Sequence, residues 1–249
     1  MLTSEQIERY RRHILLKEVG AQGQKALLSS KVVIIGAGGL GGPVAMYLAA
    51  AGVGKIDIID GDRVELSNLQ RQVQFDANQL GKFKSEMACA RASTINPTID
   101  LRPVTENLNA LNADKYIASA DLVIEGIDSF EGRFIINNAC VSSRKPFLSG
   151  AVGRFEGQLA LFDVSDKANP CYQCLVPEAP PAEEQMTCEE EGVLGPLTGV
   201  VGSLMALEAI KVLAGVPPSL AGNLLRYNAL EGTIRRVRIH TDPACPNHQ

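Results

Sequence analysis

Lys31-Val32-Val33-Ile34-Ile35-Gly36-Ala37-Gly38-Gly39-Leu40-Gly41 decides the architecture of this chain. Its first five residues are a short, β-branched, apolar run, the signature of a buried strand. The next six read G-x-G-x-x-G, and a helical stretch from Pro43 to Ala51 follows. Strand, glycine turn and helix in that order are the context in which this pattern binds a nucleotide. Gly36 and Gly38 let the backbone turn sharply and approach a phosphate, and Gly41 lets helix and strand pack closely. The N–H groups left free at the helix start then face an anion.

Outward from this turn, Lys55-Ile56-Asp57-Ile58-Ile59 is a second strand, ended by Asp60-Gly61-Asp62. Asp60 stands about 20 residues beyond the glycines, where an acid commonly binds a ribose hydroxyl. The alternative for Asp60 is a solvated strand end. On these residues alone an NAD(P)-dependent dehydrogenase fits as well as any other nucleotide enzyme.

Helix signals recur over residues 84–95, stopped by Asn96-Pro97, and over 110–119 and 130–141. Strand signals fall between them at 101–104, 121–128 and 146–149. Such βαβ alternation predicts a mainly parallel sheet. Beyond residue 150 the pattern changes. Residues 154–163 alternate like an antiparallel strand, 177–191 form a loop rich in proline and glutamate, and 192–214 are apolar and mostly helical. Residues 224–227 and 233–240 read as a closing hairpin around Glu231-Gly232. The expected class is α/β, with one mixed sheet, parallel and then antiparallel, across a single unit of residues 1–249. Within it, 1–30 form an N-terminal helical arm whose first helix Ser4 caps. Residues 31–150 form the nucleotide-binding half, and 151–249 the other half.

The 249 residues are 45% hydrophobic and 21% charged, an ordinary globular balance with enough chain to bury a core. A net charge of −4 gives no reason to expect a nucleic-acid partner. Residues 32–54 carry no charge, but their glycines and Pro43 argue for a turn and a buried helix, not a membrane span. The polar N-terminus does not resemble a signal peptide, so the expected location is cytoplasmic. Six cysteines in such a chain point to metal or catalysis before disulfides.

Ligands of open α/β sheets bind at the carboxyl ends of the strands. There the glycine turn and Asp60 are joined by Asn68 and Arg71, by Lys84 at a helix start, and by Asp128 at a later strand end. Arg71 and Lys84 can neutralise phosphate oxygens as charge redistributes. Asp128 can hold Mg²⁺, which takes one or two carboxylates and completes its shell with phosphate and water. Taken singly, Arg71 and Lys84 read as solvated surface and Asp128 as a helix cap. Together they read as triphosphate chemistry, which hydride transfer does not need.

Gly36-Ala37-Gly38-Gly39-Leu40-Gly41, Asp60-x-Asp62, Ser67-Asn68-Leu69-Gln70-Arg71-Gln72, Asp128 and Cys171-x-x-Cys174 resemble the MoeB/ThiF family, relatives of the adenylation domain of ubiquitin-activating enzymes. The resemblance runs from Arg9-Tyr10-Arg11-Arg12 to the C-terminus and implies a Rossmann-like nucleotide-binding half. It also implies ATP-dependent adenylation of the C-terminal Gly-Gly carboxylate of a ubiquitin-like sulfur carrier, by attack on the α-phosphate. A sulfur-donor protein acts afterwards. The carrier is of the molybdopterin-synthase small-subunit or thiamin type. The family pattern assigns ATP contacts to Gly39, Asp60, Asn68, Arg71 and Lys84, and Mg²⁺ to Asp128. Adding the neighbouring motif positions gives a nucleotide set that also includes Gly36, Gly38, Gly41, Asp62, Gln70 and Ser129. Arg12 matches an arginine that reaches across a homodimer into the partner's site. The apolar 193–207 stretch suits that dimer or an internal core equally. Phe83 and Ser129 depart from the usual proline and asparagine. A non-catalytic carrier-binding protein is the other alternative.

Cys171-x-x-Cys174 and Cys245-x-x-His248 are two short chelating hooks that suit a tetrahedral structural zinc. The family usually has cysteine where His248 stands. The alternative is an unliganded loop and a loose tail. Cys188 lies in the glutamate-rich loop, where the resemblance implies sulfur or acyl transfer in some members. Its acidic neighbours disfavour the thiolate. Cys89 and Cys140 are expected to be core thiols.

Overall fold

The computed structural model describes residues 1–166, 168–181 and 191–248. Its strands are β1 (Lys31–Ile35), β2 (Lys55–Ile59), β3 (Asp100–Val104), β4 (Leu122–Glu125), β5 (Phe147–Gly153), β6 (Glu156–Phe162), β7 (Asn223–Asn228) and β8 (Thr233–Arg238). They form one sheet in the order β3-β2-β1-β4-β5-β6-β7-β8. β1 to β5 pair in parallel and β6 to β8 continue antiparallel, so the mixed sheet is as expected. β1 lies between β2 and β4, and there the connections part to opposite sides. The crevice outside the strand ends at such a reversal is where this architecture holds ligands.

The arm comprises α1 (Ser4–Arg9), α2 (Arg11–Ile14) and α3 (Gly20–Ser29). Thr3, not Ser4, caps α1. Its side chain accepts from the Gln6 N–H while the Gln6 side chain accepts from the Thr3 N–H, a reciprocal box that Ser4 is one residue too late to form. Tyr10 accepts from Asn96 Nδ2 at 2.9 Å, and Gln24 Nε2 donates to the Ala51 carbonyl at 2.9 Å. These buried bonds tie the arm to the nucleotide-binding half.

α4 (Gly41–Ala51) and α5 (Lys84–Ile95) cover one face of the sheet. α6 (Ala113–Ile117), α7 (Phe130–Ser143) and the short α8 (Tyr172–Leu175) cover the other, and α9 (Gly195–Leu213) packs beside α4. The two-residue period of β1 divides its side chains. Val32 and Ile34 enter the core under α4, and Val33 and Ile35 the core under α7. Burial of each such side chain is worth roughly 1.5–3 kcal/mol. The segment Gly195–Ala214 is long and apolar enough to cross a membrane. Its Leu197, Val201, Met205 and Ala209 are buried in the core against α4 and the sheet, whereas Val200 and Leu207 are exposed.

The helix expected over 110–119 is shorter. Asn109 and Asn112 exchange side-chain bonds with the backbone there, and their competition delays the helix to Ala113.

Candidate active site

The glycine turn leaves β1 through Gly36, whose φ of +90° suits a residue without a side chain. A Cβ on Gly41 would lie 1.8 Å from the Gly36 carbonyl oxygen, so turn and helix close up only because position 41 is glycine. Asp60 braces this turn. Its Oδ2 accepts from the Ala37 N–H at 2.7 Å and its Oδ1 from the Asp62 N–H at 2.8 Å. Burial raises the Asp60 pKa, and the two backbone bonds pull the other way.

Opposite the turn lies the segment from Leu66 to Gln74. Asn68 is buried and accepts from the Glu65 N–H at 3.2 Å, fixing a 3-10 turn. That turn aims Arg71 at the cavity, where Nη1 also donates to the Ser67 carbonyl at 3.0 Å. Gln74 Nε2 donates to the carbonyls of Ala37 and Gly38 at 2.8 and 3.0 Å, clamping segment to turn. Thr198 Oγ1 lies 3.1 Å from the Arg71 carbonyl and 2.8 Å from that of Gly195, joining α9 to the same wall. Lys84 is buried at the start of α5, its Nζ 3.0 Å from Asp62 Oδ2.

These elements enclose a cavity of about 680 Å³. Gly36, Gly38, Gly39, Asp60, Asp62, Arg71, Lys84 and Asp128 all line it. Its far wall comes from the second half of the chain, from Ala151 to Gln158 along β5 and β6, with Arg226 and Asn228 of β7. Gly41, Asn68, Gln70 and Ser129 stand outside the lining, as does Arg12, which is exposed on α2. Asp128 is not the helix cap. Ser129 caps α7 by accepting from the Gly132 N–H at 3.1 Å. Among the described residues the Asp128 carboxylate has no hydrogen-bond or ion-pair partner, which leaves it available to a cation. Cys188 lies outside the described residues.

Sequence alone assigns no role to Gln72 or Gln74, nor to the buried pair Glu125 and Arg133; of these, Gln72 and Arg133 line the cavity. An acid closing the apolar run Leu122-Val123-Ile124 was the available signal, because a buried carboxylate requires a partner.

Some 74 residues apart in the chain, Cys171 and Cys245 meet at 3.7 Å between Sγ atoms, and Cys171 and Cys174 at 4.0 Å. With His248 they offer four donor atoms within 4.8 Å of one another. A tetrahedral ion with bonds of about 2.3 Å to sulfur places its sulfurs about 3.8 Å apart, so the donor set fits a divalent metal. Asn247 Nδ2 donates to Gln173 Oε1 at 2.9 Å, holding the tail against α8. Cys89 and Cys140 are buried. Burial, with Asp57 nearby, pushes the Cys89 thiol up to about 12, and burial raises Cys140 further.

The sheet with its glycine turn and acid-braced crevice defines an α/β nucleotide-binding protein. The chain belongs to the ThiF family, which matches residues 10–247. It is 42% identical over 247 residues to a sulfur carrier protein adenylyltransferase of Thermus thermophilus, spanning 98% of this chain and 91% of that one. It is 43% identical over 245 residues to a SAMP-activating enzyme E1 of Haloferax volcanii, spanning 98% and 90%. The Xenopus laevis adenylyltransferase and sulfurtransferase MOCS3 is 41% identical over 238 residues, and the chain spans 52% of its length. Among solved structures, Escherichia coli MccB with ATP superposes with a TM-score of 0.83 at 24% identity, over 97% of this chain and 73% of that one, a likeness of fold. Between the two readings of the glycine turn, the family match favours adenylation over hydride transfer.

Proposed function

We propose that this chain is an ATP-dependent adenylyltransferase for a ubiquitin-like sulfur carrier. The carrier's C-terminal Gly-Gly carboxylate attacks the α-phosphate of ATP, giving carrier acyl-AMP and pyrophosphate. The observation that carries this reading is the single cavity in which the glycine turn, Arg71, Lys84 and Asp128 face a wall built by β5, β6 and β7. A carboxylate is already an anionic nucleophile, so the work is positioning and charge neutralisation. Arg71 and Lys84 supply fixed positive charge to the phosphates, and Lys84 exchanges its Asp62 partner for phosphate oxygens. Asp60 holds the turn and retains lone pairs for a ribose hydroxyl. Asp128 would hold Mg²⁺, which would supply charge screening to the triphosphate.

The Cys171, Cys174, Cys245 and His248 cluster holds a structural zinc that pins α8 and the C-terminal segment together. A homodimer brings Arg12 of one protomer to its partner's cavity, and the exposed Val200 and Leu207 suit that contact. A separate sulfur-donor protein then delivers sulfide-level sulfur to the acyl carbon, the bond to phosphate breaks and AMP leaves, giving a thiocarboxylate, with Cys188 a candidate for transfer. The carrier is of the molybdopterin-synthase small-subunit or thiamin type, and the enzyme acts in the cytoplasm, where free thiols persist. Carrier-dependent exchange of labelled pyrophosphate into ATP tests the reading. Exchange is expected with Mg²⁺ and carrier together and with neither alone. Stabilisation by NADH but not by ATP with Mg²⁺ would overturn it.

A further inference from the structure

Behind the cavity wall, to which Arg133 contributes, lie charged groups with no part in the chemistry above. Glu125, the last residue of β4, is completely buried. Its Oε1 accepts from Arg133 Nε at 3.0 Å, and its Oε2 from the Ser149 hydroxyl of β5 at 2.9 Å. Arg133 is buried on the first turns of α7, and its Nη2 donates to the Ile127 carbonyl at 2.5 Å.

Burying an ion pair is a poor way to gain stability, because desolvation offsets most of the attraction. Here burial raises the Glu125 pKa against the pull of Arg133. What the pair achieves is geometric. Through the guanidinium it joins the end of β4 to the carbonyl one residue before Asp128. One residue after Asp128, the Ser129 cap fixes the chain to α7. Gly126 N–H donates to the Ile35 carbonyl at 3.1 Å, anchoring the loop to β1 as well. Asp128 is therefore held on both sides by its backbone while its carboxylate faces the cavity with no partner among the described residues.

We propose that Glu125, Arg133 and Ser149 are positioning residues that hold the Asp128 carboxylate where a divalent cation meets the triphosphate. The inference rests on the reading of Asp128 as the magnesium ligand. Groups that orient a metal ligand from behind typically cost 10–100-fold in metal affinity when removed.

The test is an equilibrium titration of the full chain with Mn²⁺, read by loss of the free-ion spin-resonance signal in the presence of a non-hydrolysable ATP analogue. Glu125→Gln is expected to weaken Mn²⁺ binding about tenfold, with metal-free affinity for the analogue unchanged. Asp128→Asn is the reference. Adding Glu125→Gln to it should weaken Mn²⁺ no further, because a residue acting through Asp128 is not additive with its loss. Unchanged Mn²⁺ affinity in folded Glu125→Gln, or additive losses in the double variant, would overturn the positioning role and leave the magnesium reading standing. Unchanged affinity in Asp128→Asn would overturn both. If Glu125→Gln fails to fold, Ser149→Ala, which keeps the charges paired, decides. A smaller loss in the same direction supports the proposal, and none overturns it.

Discussion

Cys171 Sγ lies 3.7 Å from Cys245 Sγ, which brings the loop after β6 and the end of the chain to one point. A metal bound there would close a loop of 74 residues. Closing a loop of that size stabilises by about 4 kcal/mol in the chain-entropy picture. Cys174→Ser is expected to lower bound zinc well below one per chain and the melting temperature by roughly 10 °C. Metal analysis alongside thermal melting checks both.

Arg71 presents a fixed cation to the cavity. Arg71→Ala is expected to cost about 3 kcal/mol of transition-state stabilisation, or roughly two orders of magnitude in carrier-dependent pyrophosphate exchange. An unchanged rate would remove Arg71 from the mechanism.

Gly41 and Gly199 make opposite predictions for the same substitution. A Cβ at Gly41 meets the Gly36 carbonyl oxygen at 1.8 Å, whereas one at Gly199 meets nothing within 4 Å. Gly41→Ala is expected to destabilise by about 3 kcal/mol or to prevent folding. Gly199→Ala, inside α9, is expected to stabilise by about 0.5–1 kcal/mol. Denaturant melts of the two variants distinguish the cases.

Cys89 predicts a loss of stability at alkaline pH. Its thiol ionises near 9.0 in the unfolded chain and at about 12 in the fold, where burial opposes the thiolate. Between those values the native state binds more protons than the unfolded state, so stability falls as pH rises. The contribution is complete below pH 9 and lost as pH climbs through 12, with a limiting slope of about 1.4 kcal/mol per pH unit. Cys89→Ala should flatten the dependence measured by denaturant melts between pH 8 and 11. An identical slope would count against it.

The parallel half was legible wherever an apolar run is bounded by glycine, proline or charge. β1, β2 and α5 begin and end where those residues predict. β5 was harder to see. It runs on to Gly153 through small residues of weak strand preference, because β6 supplies a partner at every position, as where Gly150 faces Leu159. Asn68, expected as a nucleotide contact, is buried beside the cavity, where its Oδ1 accepts from the Glu65 N–H and fixes the turn that aims Arg71. A motif records which residue types recur together. It does not separate those that touch a ligand from those that hold the ones that do.

The order of residues alone settled the glycine turn, the alternation of strand and helix, and the two spaced pairs Cys171-x-x-Cys174 and Cys245-x-x-His248. Each depends on local backbone freedom, hydrophobic period or short ligand spacing. The tertiary structure decided that β4 lies beside β1, so that Asp128 faces Arg71 and Lys84 across one cavity. It also decided that β5, β6 and β7 close that cavity's far side, and that Glu125 finds Arg133 at its wall. Those relations come from strand pairing and the burial of charge, which act between residues distant in sequence and leave no local pattern to read.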